Sequence, residues 1–289
     1  MSPVFENRIS LLAGRWVPHH GMRLSVDDAG FQQGVTVVER LRTYSGRVFA
    51  IDGHLDRWQH SVSELEITGL PSPATIHSHV EELLSRNASW LQSEGDVGIT
   101  MFATPGEVGS HAPTFGLHLN RLNHARNNDR RQRGQPLIVT AVKQPDPDCW
   151  PRSIKVRSRV HYFRADAMAR KRDEDAIGVL VDNDGSLTET SIANLAIVQA
   201  GQIFSPPADR VLGGITQSVI ETLASQLAIP WSKKPISAAQ IAYAEEILLM
   251  GTDGGIWFAN SVNGHPITAG VPGNVFLLLR DRFDAFVLG

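Results

Sequence analysis

Apolar residues recur along this chain with two periods, and the switches between them predict most of its elements. Arg8 to Val17 reads as a short pair of strands with Ala13-Gly14 as the turn. Val26-Asp27-Asp28-Ala29-Gly30 reads as a loop. Val35 to Tyr44, rich in Val, Thr and Leu, predicts a strand that turns at Ser45-Gly46 and pairs back through Arg47 to Ile51. The period then lengthens. Leu55, Trp58, Val62 and Leu65 share one helical face, which predicts a helix from an Asp52 N-cap to Glu66. Pro71-Ser72-Pro73 interrupts the chain, and Ile76, Val80, Leu83, Leu84, Trp90 and Leu91 predict a second helix over Ala74 to Leu91. Val97 to Ala103 and Thr114 to Leu119 alternate as strands, so this first part reads as an α/β unit with an antiparallel sheet.

Between Asn120 and Gly134 the apolar pattern stops and Arg121, Arg126, Arg130, Arg131 and Arg133 crowd together. No aromatic residue interleaves with them, which argues for a solvated linker over a nucleic-acid face. The predicted division is residues 1–125, a linker at 126–135, and residues 136–289. In the second part Pro136 to Lys143 reads as a strand, Lys155 lies in a β-like run, Phe163 to Lys171 reads as a helix and Ala176 to Val181 as a strand. After the turn at residues 182–185 a strand ends in Thr188-Glu189-Thr190-Ser191. A hairpin turns at Ala200-Gly201, Thr216 to Leu227 and Ser237 to Ala244 read as helices, and Glu246 to Met250 and Ile256 to Val262 as strands. A helix from Gly273 to Phe286 closes the chain, and no internal repeat is present.

Composition adds exclusions. The 289 residues carry a formal net charge of −3, with 42% hydrophobic and 20% charged positions, ordinary values for a globular chain. That balance argues against a general nucleic-acid or membrane binder. The longest apolar runs are too short to span a bilayer, and the first residues lack the apolar core of a secretory signal. One cysteine, Cys149, excludes an internal disulfide and suits a reducing compartment, so the cytoplasm is the expected location. No metal site is predicted.

Lys155 and Glu189 both sit beside apolar strand residues. A lysine amine forms a Schiff base with a carbonyl, and a buried carboxylate suits a protonated ring nitrogen. By themselves the two read at least as well as a surface lysine and a strand-end glutamate that never meet. Gly213-Gly214-Ile215-Thr216 leads into a helix, where converging N–H groups suit an anion, or where Thr216 simply caps. Gly251-Thr252-Asp253 is a similar turn. Arg57 lies in the first turn of its helix, where the dipole disfavours a cation; a structural ion pair or an anion ligand would explain it.

Taken in order, GFQQGVTVVERLRTYSGRVFAIDGHLDRW, SIKVRSRVHYF, LTETSIANL, GGITQSVIE and MGTDGG resemble the fold-type IV pyridoxal phosphate enzymes. These are the branched-chain aminotransferases, D-amino acid aminotransferases and aminodeoxychorismate lyases. The resemblance runs from about Val4 to Phe286. It implies an α/β (α+β) fold of two domains, an N-terminal α/β domain with an antiparallel sheet and a larger C-terminal pseudobarrel domain. It implies pyridoxal 5′-phosphate as cofactor, an amino donor and a 2-keto acid as substrates, and a homodimer. Lys155 matches the lysine that holds the cofactor and shuttles the proton. Glu189 matches the carboxylate facing the pyridine nitrogen, with Asn194 as its support. Arg57, Ile215, Thr216 and Thr252 match the phosphate ligands.

Some positions depart from the pattern. Gln32-Gln33-Gly34 replaces a Gly-Asp-Gly or tyrosine-containing turn, Val38 an aromatic, and Val160 the tyrosine five residues after the lysine. Tyr162 and Arg159 are candidates for the cofactor's 3′ oxygen. The arginine by which D-amino acid enzymes hold a carboxylate is replaced near Thr104-Pro105, and Glu39 stands where lyases carry threonine. Gln33, Arg42, Arg159 and His161 are candidates for the substrate side. The expected activity is a class IV transamination; the alternatives are a lyase on the same scaffold or a catalytically altered cofactor-binding homologue.

Overall fold

The computed structural model of the protein describes residues 8–110 and 112–289; the start of the resemblance at Val4 lies outside them. The chain forms two compact units. The first runs to Leu122 and regains Ile154–Ser158; the second takes Asn123–Ser153 and Arg159–Gly289. Among the described residues no helix is long and apolar enough to cross a membrane.

The first unit is built on a six-stranded sheet. Strands β1 (Ile9–Leu12) and β2 (Arg15–Pro18) turn at Ala13 and Gly14, whose φ values of 48° and 75° suit a tight hairpin. A short helix α1 (Ala29–Gln32), capped by Asp28, occupies part of the predicted loop. Next come β3 (Val37–Tyr44), β4 (Arg47–Val48) and α2 (Ile51–Glu64). Ala50, at φ 45°, turns the chain into α2 and takes the N-cap place predicted for Asp52; the strand predicted to reach Ile51 therefore stops at Val48. Two helices, α3 (Pro73–Arg86) and α4 (Ala88–Glu94), replace the single one predicted. They part at buried Asn87, whose side-chain amide exchanges bonds of 2.8 and 3.0 Å with the Ile9 backbone and donates to the Leu83 carbonyl at 2.7 Å, while its own backbone leaves the helical region at φ −109°. Strands β5 (Val97–Thr104) and β6 (Thr114–Arg121) complete the antiparallel order β2-β1-β6-β5-β3-β4. Leu55, Trp58 and Val62 of α2 and Ile76, Val80 and Leu83 of α3 bury one face of this sheet, against Val37, Leu41, Ile99 and Met101.

The second unit opens on α5 (His124–Arg133), in the stretch predicted to be a linker. Its lack of apolar residues is offset by polar ties: Asn123 caps it, Asn127 donates to the Asp253 carbonyl at 2.8 Å and Arg131 pairs with Asp284. Strand β7 (Pro136–Lys143) pairs in parallel with β8 (Ile177–Val181), and α6 (Val160–Arg170) packs on both. Strands β9 (Leu187–Thr190), β10 (Asn194–Gln199) and β11 (Gln202–Ser205) follow, then α7 (Ile215–Gln226), β12 (Trp231–Lys233) and α8 (Ala238–Ala242). The rest are β13 (Glu246–Gly251), β14 (Gly255–Phe258), β15 (Ser261–Val262), β16 (His265–Pro266) and α9 (Asn274–Leu288). The strand predicted over Ile256 to Val262 is thus two. The sheet runs β12-β11-β10-β9-β8-β7-β15-β16, with β13 branching from β10 and carrying β14. Its near-continuous Val, Ile and Leu runs reflect burial on both faces.

Candidate active site

In the first unit Lys155 is held without a strand of its own. Val156 makes a single antiparallel bridge with Val37 of β3. The Val38 N–H donates to the Lys155 carbonyl at 2.9 Å, and the Arg157 N–H to the Thr36 carbonyl at 2.9 Å. The Lys155 N–H donates to Ser61 Oγ of α2 at 3.1 Å, and Ser61 Oγ donates to the Arg57 carbonyl at 2.8 Å. One turn of α2 thus ties the backbones of Lys155 and Arg57 together.

Strand alternation turns Glu39 toward α2, where it meets His54 and Arg57, three residues apart and so on one helix face. Arg57 Nε and Nη2 donate to the two Glu39 oxygens at 2.7 and 2.8 Å, and His54 Nδ1 donates at 2.8 Å. Burial pushes the Glu39 carboxyl up, but Arg57 and His54 outweigh it and hold the pKa at about 2. Burial lowers the His54 pKa despite the opposing pull of Glu39. His54 Nε2 is buried without a hydrogen-bond partner. Because α2 opens at Ile51, Arg57 lies in its second turn and not in the first as expected, and this cation is compensated by a buried carboxylate. Glu39 and His54 were missed as site neighbours, although an acidic residue on an otherwise apolar buried strand is a readable signal.

In the second unit Glu189 is buried on β9, paired in register with Asn194 of β10. Its Oε1 accepts from the Tyr162 hydroxyl at 2.6 Å and Gln144 Nε2 at 2.9 Å; its Oε2 accepts from Asn194 Nδ2 at 3.1 Å. Burial and the neighbouring Glu189 push the Tyr162 pKa well above its ordinary value, so Tyr162 stays a phenol that donates. Gln144 and Tyr162 as partners of Glu189 were not foreseen, because no local pattern links residues 27 and 45 positions apart.

Asn194 Nδ2 also donates to the Leu212 carbonyl at 2.9 Å, which ties Glu189 to the glycine turn before α7. A Cβ at Gly214 would lie 1.9 Å from Asn194 Oδ1, so this turn closes on Asn194 only without a side chain. Gly214 is the N-cap of α7, and no side chain caps that terminus. Ile215 opens the helix, and Thr216, predicted to cap it, lies buried in its first turn. Gly251 approaches the same place: a Cβ there would lie 2.3 Å from the Ile192 carbonyl oxygen, which sets Thr252 next to residues 191–194. Uncapped N–H groups, two glycine turns and two hydroxyls make a cradle suited to an anion.

The four substrate-side candidates separate. Gln33 is exposed at the end of α1. Arg42 is buried on β3, with Nε donating to the Thr43 carbonyl at 3.0 Å and its guanidinium 3.8 Å from the Tyr44 ring centroid. Arg159 donates to the Ser191 carbonyl and lies over the Tyr162 ring at 4.5 Å. His161, stacked on Tyr162 at 4.1 Å, is pushed down to about 4 by burial and by Arg159. Tyr162, a candidate for the cofactor's 3′ oxygen, instead donates its hydroxyl hydrogen bond to Glu189.

Residues 36–262 match the family model described as amino-transferase class IV. A branched-chain-amino-acid aminotransferase-like protein 2 of Arabidopsis thaliana is 25% identical over 99% of this chain, which spans about half (52%) of that relative's length. A D-alanine aminotransferase of Bacillus licheniformis is 23% identical over 91% of each chain. Among solved structures, the branched-chain amino acid aminotransferase of Escherichia coli superposes with a TM-score of 0.90 at 19% identity, covering 98% of this chain and 95% of its own, a likeness of fold.

Proposed function

We propose a reaction for this chain, which belongs to the class IV aminotransferase family: transfer of an amino group between an amino acid or amine and a 2-keto acid. Enzymes of this class use pyridoxal 5′-phosphate. The residues present fit that group. The glycine turn before α7, which packs on Asn194 only because Gly214 lacks a Cβ, leaves the uncapped start of a helix that suits a phosphate, and the donor-lined Glu189 suits a ring N–H. When bound, the cofactor supplies an electron sink for the charge left at the substrate's Cα.

In this reading Lys155 Nζ would hold the cofactor's aldehyde carbon and would take the proton from the substrate's Cα. Glu189 would hold the pyridine N–H, with Asn194 positioning Glu189. The Ile215 N–H, the Thr216 and Thr252 hydroxyls and Arg57 would hold the phosphate. The family resemblance also implies a homodimer.

The observation that carries the reading is Asn194, which bonds both Glu189 and the Leu212 carbonyl and so links a carboxylate to an anion cradle. A stopped half-reaction tests it. Cofactor-loaded protein is mixed with a panel of amino acids and amines of both hands, without keto acid. Conversion of the cofactor to its aminated form with release of one keto product supports transamination. Catalytic pyruvate release without an acceptor supports a lyase instead. No spectral change with any donor rejects both.

A further inference from the structure

The two faces of β3 differ in character. Val37, Glu39 and Leu41 turn toward α2, and strand alternation puts Val38, Arg40 and Arg42 on the other face. Register extends that second face. Arg40 lies opposite Thr100 of β5, which lies opposite His118 of β6; Arg42 lies opposite Gly98, which lies opposite Asn120. Lys155 joins the same face: with Val156 bridged to Val37, Lys155 falls opposite Val38, to which its carbonyl is bonded. The nucleophilic lysine and two arginines therefore lie along one face of the first unit, with Arg40 about 7 Å along the strand from Val38.

Arg40 is not splayed at random there. Its guanidinium fills the space that a side chain at Gly98 would need: a Cβ at Gly98 would lie 2.4 Å from Nη2 and 2.5 Å from Cζ. Nη1 donates to Thr100 Oγ1 at 3.1 Å, and Asn120 Nδ2 donates to the same oxygen at 2.8 Å. The fork is thus fixed against the sheet by glycine 98 on one side and a bonded hydroxyl on the other. Burial acts first on neighbouring His118, and His19, Arg40 and Arg157 add to it against the bond to the Leu119 carbonyl, so its pKa is pushed down to about 4 and the ring is neutral at neutral pH. Folding has gathered like charge onto a half-buried sheet face, which costs free energy that an anionic guest recovers.

We propose that Arg40 recognises a carboxylate of the substrate, so that carboxylate-bearing amino donors and keto acids are the substrate class. This rests on the aminotransferase reading and deepens it. A planar guanidinium held flat matches a carboxylate with two parallel bonds, which a lysine at the same place would not. Arg42 has Nε on the Thr43 carbonyl and its guanidinium on Tyr44. Arg40 is absent from the sequence-level candidates because its reading needs the register with Gly98 and Thr100.

The test compares wild type with Arg40→Gln and Arg40→Lys, all cofactor-loaded, on alanine, glutamate and 1-phenylethylamine. Arg40→Gln is expected to lose about 100-fold in kcat/KM on the acids, mostly through KM, and under 5-fold on the amine; Arg40→Lys recovers part. Loss on both acids assigns the α-carboxylate, and loss on glutamate alone the distal one. Calorimetric titration with 2-oxoglutarate is read independently of turnover, with binding about 10-fold or more weaker in Arg40→Gln. Equal affinities, or equal losses on acids and amine, overturn the proposal. Wild type that binds 2-oxoglutarate through Arg40 but converts no donor overturns the aminotransferase reading and leaves the carboxylate subsite standing. An unchanged melting temperature in the variants excludes misfolding.

Discussion

Asn194 ties the second unit's buried carboxylate to its glycine turn. Its single amide nitrogen bridges the Glu189 carboxylate and the Leu212 carbonyl at 3.1 and 2.9 Å, and its oxygen defines how close Gly214 comes. Asn194→Ala removes both bonds while leaving the β10 backbone in place. Cofactor affinity is expected to fall about 10-fold or more, each lost bond to a buried partner being worth roughly 1–3 kcal/mol. Fluorescence titration with pyridoxal 5′-phosphate measures it, and unchanged affinity would mean that Asn194 serves only the strand. Lys155, Glu189 and the glycine turn stood out in the sequence as candidates because lysine, carboxylate and Gly-Gly before a helix are rare in apolar surroundings. Their partners were not. Gln144, Tyr162, His54 and Arg40 act through contacts across strands, and neighbours in space leave no mark in local periodicity.

At the scale of elements, the approach of α7 to β10 is the sharpest steric statement in the second unit. Gly213 and Gly214 are adjacent but unequal: a Cβ at Gly213 meets nothing within 4 Å, whereas one at Gly214 collides with Asn194. Gly214→Ala is expected to push the start of α7 off β10 and to weaken cofactor binding, with Gly213→Ala keeping the wild-type melting temperature. Thermal denaturation of both variants without cofactor checks the pair; an equally stable Gly214→Ala would contradict the packing described. Periodicity predicted the apolar helices and strands well and failed where polar groups decide. The predicted helix over Ala74 to Leu91 breaks at Asn87, whose side-chain amide bonds the Ile9 backbone. The predicted linker is a helix because ion pairs and a cap replace an apolar face.

For the whole molecule, buried titratable groups set the response to acid. The folded His118 has a pKa of about 4 against an ordinary 6.5, so between those values the unfolded chain binds a proton that the folded chain refuses. Stability therefore falls as the pH drops through that window. Glu39, at about 2 against 4.5, adds a second loss as the pH falls from 4.5 toward 2, worth roughly 3 kcal/mol when complete. Urea midpoints taken between neutral and strongly acid pH should decline in two stages, and Glu39→Gln should be less stable at neutral pH yet flatter in the second stage. A variant with the wild-type slope would contradict the buried pair. The division of the chain was legible only as a single cut. Residues 154–158 rejoin the first unit from within the second, and a five-residue return held by backbone bonds to residues 36 and 38 has no compositional boundary.

The central claim is that Lys155 is the residue that takes the cofactor. The chain has five lysines, and Lys143, Lys171, Lys233 and Lys234 serve as internal controls. The protein is incubated with pyridoxal 5′-phosphate, reduced with borohydride, digested and mapped by mass spectrometry, alongside Lys155→Ala. The account predicts a phosphopyridoxyl group on Lys155 in near-stoichiometric yield and none in the variant; modification elsewhere, or an equal yield in Lys155→Ala, would contradict it.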